Sequence, residues 1–128
     1  MPFDNAFEGP FSDIEILMDA RRRIADRGHW LQRQFRYRDR HSLVAALSVA
    51  SQSSRFDRPN QTERRLARIL VRQLPRKAGV SKFLIFATAR YRLETFNDRC
   101  RTQHEDVLEL FDRTIEHLQA EVPLHSVT

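Results

Sequence analysis

The sequence predicts an all-α fold, a single-domain bundle of four to five helices, and three observations carry that reading. Gly and Pro are scarce, three and five in 128 residues, and most stand outside the periodic segments, which favours helices over a turn-rich β fold. Apolar residues recur at helical spacing in several segments, and a capping residue followed three positions later by an acid marks several of their starts. The length is that of one domain with a single core, and a 41% hydrophobic content suits a globular chain rather than a disordered one.

Residues 1–11 read as a flexible acidic arm, 12–121 as the helical domain and 122–128 as a C-terminal tail. Ser12 and Glu15 have the spacing of a capping box, so the first helix is expected over 13–27. Ile14, Leu17, Met18, Ile24 and Ala25 would share its inner side, and Gly28 would close it in the left-handed conformation. HWLQRQFRYRDRH has no clean periodicity. Ser42 caps a short second helix through LVAALSVAS, and SRFDRPN is a loop. Asn60 and Glu63 open a third helix that turns Leu66, Ile69, Leu70 and Leu74 inward and stops at Pro75. RKAG is a linker. Within 81–94, KFLIF would suit a buried strand, but Ala87, Ala89 and the lack of a turn signal favour helix. Thr102 and Glu105 open the last helix, whose Val107, Leu108, Phe111, Ile115 and Leu118 form a tight apolar face.

Charge is laid out in three blocks: −5 over residues 1–20, +15 over 21–92 and −5 over 93–128. A basic middle attracts nucleic acid, anionic lipid or an acidic protein. The blander alternative is that acidic and basic segments of one chain neutralise each other, and an excess of 20 Arg over 2 Lys is also what a GC-rich genome produces. The longest apolar run, FLIFATA, is about a third of a membrane span, so no membrane partner is expected. The N-terminus has neither the basic nor the apolar region of a secretory signal. A single cysteine, Cys100, excludes an internal disulfide and a zinc site made of cysteines, and points to a reducing, cytoplasmic setting.

Chemistry-bearing patterns are few. His29, His41, His104, His117 and His125 show no paired-ligand spacing, so no metal site is expected, and His104 beside Asp106 reads as surface polarity. Cys100 lies between Arg99 and Arg101, which favours a thiolate, but no nearby His is placed to orient it. Three dispersed glycines exclude a P-loop or a dinucleotide fingerprint, and no cofactor is expected. Arg64, Arg65, Arg68 and Arg72 fall within about 100° of one another on the third helix, opposite its apolar side. Glu105, Asp106, Glu109, Asp112 and Glu116 form an acidic stripe on the last helix. Trp30, Phe35 and Tyr37 interleave with Arg33, Arg36 and Arg38 in the manner of a single-stranded nucleic-acid platform, although Trp30 equally suits a core plug past the first helix.

ARRRIADRGHWLQ, HSLVAALSVA and TFNDRCRTQHEDVLELFDRTI together resemble an uncharacterised bacterial family, the domain of unknown function numbered 6197. The resemblance rests on Trp30, Gln32, Ser42, Leu43, Ala46, Leu47, Phe96, Asn97, Asp98, Arg101, Thr102, Val107 and Asp112, and spans about residues 17–118. Ser42 stands where that family often has Cys, and Ala45 where it often has Gly, so a thiol function there is absent. The resemblance implies an all-helical domain and no particular activity.

Two functional readings follow. In the first, Arg64, Arg65, Arg68 and Arg72 with Arg33, Arg36 and Arg38 make a binding module for an anionic partner, nucleic acid or acidic protein. In the second, Trp30, Gln32, Asn97, Asp98 and Arg101 surround a small-molecule or enzyme site, with Asp98 as a general base. Against the second, Asn97-Asp98 reads as a polar clip joining the last two helices. The complementary stripes suggest a monomer or a weak homodimer, with Phe83, Phe86 and Tyr91 as the apolar candidates for anything tighter.

Overall fold

The computed structural model describes residues 10–54, 58–75 and 87–122. Five α-helices carry the fold: α1 (Pro10–Arg23), α2 (Leu43–Ala50), α3 (Gln61–Arg72), α4 (Ala89–Asp98) and α5 (His104–Glu121). Between α1 and α2 the chain makes a 3-10 turn, Arg27–His29, and a minimal antiparallel hairpin of β1 (Arg36–Tyr37) and β2 (Arg40–His41). The molecule is thus a single-domain helical bundle with one small hairpin on its side.

LVAALSVA has no polar face, so α2 forms the inner layer, with Leu43 to Ser48 all buried. α1 packs against α2 and α5, α3 against α4, and α4 also meets α2. Leu17, Ile24, Leu43, Leu47, Leu66, Leu70, Leu93, Leu110 and Phe111 are fully buried where these faces meet. Truncating one such side chain to Ala costs about 2–5 kcal/mol.

Local chemistry sets the helix starts. The Ser42 hydroxyl accepts the Ala45 N–H at 3.2 Å, and the Asn60 side chain accepts the Glu63 N–H at 2.8 Å. Glu63 does not return to Asn60 as a two-residue capping box would have it. Ser53 Oγ accepts the Asn60 N–H at 3.2 Å and donates to Glu63 Oε1 at 2.7 Å, closing the box through a hydroxyl and drawing the carboxylate inside.

Several expected boundaries move. α1 begins at Pro10, so Ser12 lies inside its first turn, and it ends at Arg23 rather than 27. There Asp26 caps the 3-10 turn by accepting the Gly28 N–H at 2.9 Å, and Gly28 is not left-handed. Met18 and Ala25 are exposed: Met18 lies about 100° round the helix from Leu17, and Ala25 lies beyond its end. At α5 the cap falls one residue later than Thr102, with the Asp106 carboxylate accepting the Gln103 N–H at 2.8 Å. α4 starts at Ala89 behind the cap Thr88 and runs on to Asp98. The choice between strand and helix for 81–86 lies outside the described residues, as do residues 1–9 of the arm and 123–128 of the tail.

Candidate functional site

The polar residues that follow the first helix and end the fourth come together. Trp30 is 8% exposed, and its indole Nε1–H donates to Asn97 Oδ1 at 2.7 Å. The same oxygen accepts the N–H of Leu43, the first residue of α2, at 3.2 Å. Asn97 Nδ2 donates to the Leu31 carbonyl and to Asp98 Oδ1, both at 2.9 Å. A side-chain amide has two donors and two acceptor positions, and all four are taken on a residue with no exposed surface. The Gln32 amide donates to the carbonyls of Asn97 and Arg99 at 2.9 Å, with that of Thr102 at 3.3 Å, so it holds the turn between α4 and α5.

Asp98 accepts the Arg33 N–H at 2.8 Å, which fixes Arg33 in the left-handed region at φ 65. A cavity of about 560 Å³ opens beside Asp98, lined also by Tyr91, Glu94, Thr95 and Arg99. Trp30, Gln32 and Asn97 do not line it, so the residues of the small-molecule reading do not converge on one space. Arg101 is exposed and lines a separate cavity of about 790 Å³ with Cys100, Thr102 and Asp106. In the Asp98 cavity, Glu94 accepts the Ser42 hydroxyl at 3.0 Å. Burial raises the Glu94 pKa above the usual carboxylate value and the Asp98 charge adds to this, while the Ser42 hydrogen bond and Arg90 oppose it.

The arginines divide by helix flank. Arg65 donates to the buried carboxylate of Asp13 at 2.6 Å and is occupied by α1. Arg64, Arg68 and Arg72 are exposed and pair with no described residue. On the hairpin, Arg33, Arg36, Tyr37, Arg38 and Arg40 are all exposed, and the Arg38 guanidinium stands 5.3 Å from the Tyr37 ring. Arg90 joins the two regions: it lies 5.1 Å over the Phe35 ring at the base of the hairpin and 3.9 Å from Glu63 on α3. The acidic stripe of α5 is also partly occupied, since Asp112 accepts from Arg21 of α1 at 2.6 and 3.2 Å.

Two histidines belong to the interior. His104 is 7% exposed, and its Nε2 donates to the Ile24 carbonyl at 2.6 Å while its ring lies 5.6 Å from that of Trp30. It is not surface polarity: spaced three and seven residues before Val107 and Phe111, it falls on the apolar face of α5, a register that the sequence does contain. His41 is also buried, and among the described residues neither ring nitrogen has a hydrogen-bond partner of good geometry, the Asp39 backbone being the closest approach to one. Burial holds its pKa below the ordinary imidazole value, and the Arg36 and Arg23 charges act the same way, while the backbone and the carboxylate of Asp39 oppose them.

Sequence reasoning missed a cavity of about 520 Å³ between α3 and the start of α4, lined by Pro59, Glu63, Arg64, Ala67, Arg68, Thr88, Ala89 and Arg90. Its one local signal is Thr88, a capping residue at the end of an apolar run. Among the described residues no group of three or more His, Cys, Asp or Glu is placed to hold a metal ion, and no helix is long and apolar enough to cross a membrane.

No curated protein and no solved structure matches the chain. A family model described as "Family of unknown function (DUF6197)" matches residues 10–117, the whole helical body from the first residue of α1 to the last turns of α5, and the chain belongs to that family.

Proposed function

We propose that the protein is a small basic binding module for an anionic partner, nucleic acid or acidic protein. The observation that carries this reading is a set of exposed cations on two neighbouring elements. Arg33, Arg36, Arg38 and Arg40 stand on and beside the hairpin, Arg64, Arg68 and Arg72 on α3, and Arg90 touches both regions. Exposed guanidiniums bind phosphate and carboxylate in bidentate fashion, and the neighbouring Tyr37 offers a ring for stacking. Arg65 drops out of the binding set because Asp13 occupies it. The small-molecule reading around Trp30, Asn97 and Asp98 gains no support, since every polar position of Asn97 is taken within the protein.

Fluorescence anisotropy with single-stranded DNA, single-stranded RNA and polyglutamate tests the proposal. Binding is expected to weaken steeply between about 50 and 200 mM salt, as phosphate-dominated contacts do, and to fall when Arg33, Arg36 and Arg38 are changed to Ala. Polyglutamate binding alone would assign the surface to acidic proteins. Failure of all three ligands at low salt would refute the module.

A further inference from the structure

The cleft between α3 and α4 has features that a binding face for a polyanion does not need. Its cavity of about 520 Å³ is the size of a small-molecule pocket. One wall is the first turn of α4, where the Thr88 side chain accepts the Tyr91 N–H at 3.1 Å. The N–H groups of Ala89 and Arg90 have no partner within the helix, and the helix start is the positive end of its dipole. The opposite wall carries Arg64 and Arg68, both exposed and ion-paired with no described residue. With Arg90, three guanidiniums face a single carboxylate, that of Glu63, so the cleft is cationic.

Glu63 supplies the second observation. It is 1% exposed, and its Oε1 is held by the Ser53 hydroxyl. Among the described residues its Oε2 has no hydrogen bond, and the nearest cation, Arg90 Nη1, is 3.9 Å away, beyond hydrogen-bond reach. A buried carboxylate oxygen without a donor is costly to keep. An anion with no proton to donate, such as sulfate, would leave it unsatisfied when seated among the arginines. A ligand with a hydroxyl next to its anionic group would satisfy both ends of the cleft.

We propose that this cleft binds a small hydroxylated organic anion, a phosphate ester or a carboxylate. The anionic group rests on Arg64, Arg68 and the N-terminus of α4, and a neighbouring hydroxyl donates to Glu63 Oε2. This goes beyond the hairpin surface, although the two share Arg64 and Arg68.

The test is a series of amide NMR titrations of the full chain with glycerol 3-phosphate, glycerate, sulfate and glycerol. At least one of the two hydroxylated anions is expected to shift the Ala89 and Arg90 amides and to bind about tenfold more tightly than sulfate, with no response to glycerol. Arg64→Ala and Arg68→Ala alter exposed side chains that pair with no described residue, so they should fold normally and weaken that ligand about tenfold each. Glu63→Gln keeps the oxygen that Ser53 needs but replaces Oε2 with an amide donor, and should abolish the preference over sulfate. No shift at about 10 mM of either hydroxylated anion, equal affinity for sulfate, or shifts confined to other amides would overturn the proposal. Oligonucleotide binding that depends on the hairpin arginines, with no such shifts, would remove the pocket and leave the surface standing.

Discussion

The indole N–H of Trp30 donates to the side-chain oxygen of Asn97 at 2.7 Å, between residues 67 apart in sequence. Through Asn97 the same contact reaches the carbonyl of Leu31 and the N–H that begins α2. One amide therefore registers α4 against the crossover from α1 and against the innermost helix. All four hydrogen-bonding positions of Asn97 are taken within the protein.

Removing that amide should be severe. Asn97→Ala leaves the Trp30 N–H, the Leu43 N–H and the Leu31 carbonyl without partners in the core, and each buried orphan costs about 1–3 kcal/mol. Some relaxation is expected, so the net loss should be about 3 kcal/mol or more. Urea denaturation followed by the fluorescence of the single tryptophan measures it directly. A loss under about 1 kcal/mol would mean that the contact fastens nothing.

Glu94 gives a pH-dependent outcome. Its pKa is raised in the folded protein, chiefly by burial, so the ionised form is disfavoured there relative to the unfolded chain. The stability that this group contributes is full below the unfolded value of 4.5 and is lost as pH rises through the higher folded value. Glu94→Gln keeps an acceptor for the Ser42 hydroxyl and removes the charge. The variant should be more stable than the parent at pH 7, and the difference should vanish below pH 4.5. Thermal melts across that range would contradict this if the variant were less stable at neutral pH.

Much of the fold is legible in the sequence because helix starts carry local chemistry. Ser42 and Asn60 announce α2 and α3 through side-chain oxygens that reach N–H groups three residues on. Where two such signals overlap, spacing alone does not choose. Thr102 with Glu105 and Gln103 with Asp106 are equally spaced, and the burial of Thr102 settles the cap on Gln103. At α1 the effective signal is Pro10, whose fixed φ suits the first helical position, rather than Ser12. The Trp30, Gln32, Asn97 and Asp98 grouping is visible only as polar residues flanking apolar ones, since hydrogen bonds across such separations leave no periodic trace. The α3–α4 cleft was hidden because Glu63 carries a capping signature that conceals its burial.

The divided arginine stripe predicts unequal consequences. Arg65→Ala would leave the Asp13 carboxylate buried without its ion-pair partner, and the cost should be about 1–3 kcal/mol, softened by the nearby start of α1. Arg68→Ala should change stability by no more than about 0.5 kcal/mol, because that side chain is exposed and pairs with no described residue. Adding Asp13→Asn to Arg65→Ala should recover part of the loss. Equal effects of the two arginine substitutions on the denaturation midpoint would refute the division.

Self-association follows from the same arithmetic. Of the acidic stripe on α5, Asp106 is committed to the helix cap and Asp112 to Arg21. Glu105, Glu109 and Glu116 remain exposed, against Arg64, Arg68 and Arg72 on α3. Two copies docking these faces about a two-fold axis would form a few exposed ion pairs, each contributing about 0–1 kcal/mol. That is too little to hold a dimer at ordinary concentrations. Tyr91, Met18 and Tyr37 are the exposed large apolar side chains among the described residues, while Phe83 and Phe86 lie outside them. Sedimentation should therefore find a monomer, with weak dimer only at low salt. At about 1 M salt, where screening acts within about 3 Å, any electrostatic dimer should dissociate. A dimer that persists there would shift the contact from the charged stripes to an apolar face around Tyr91, and Tyr91→Ser should then dissolve it.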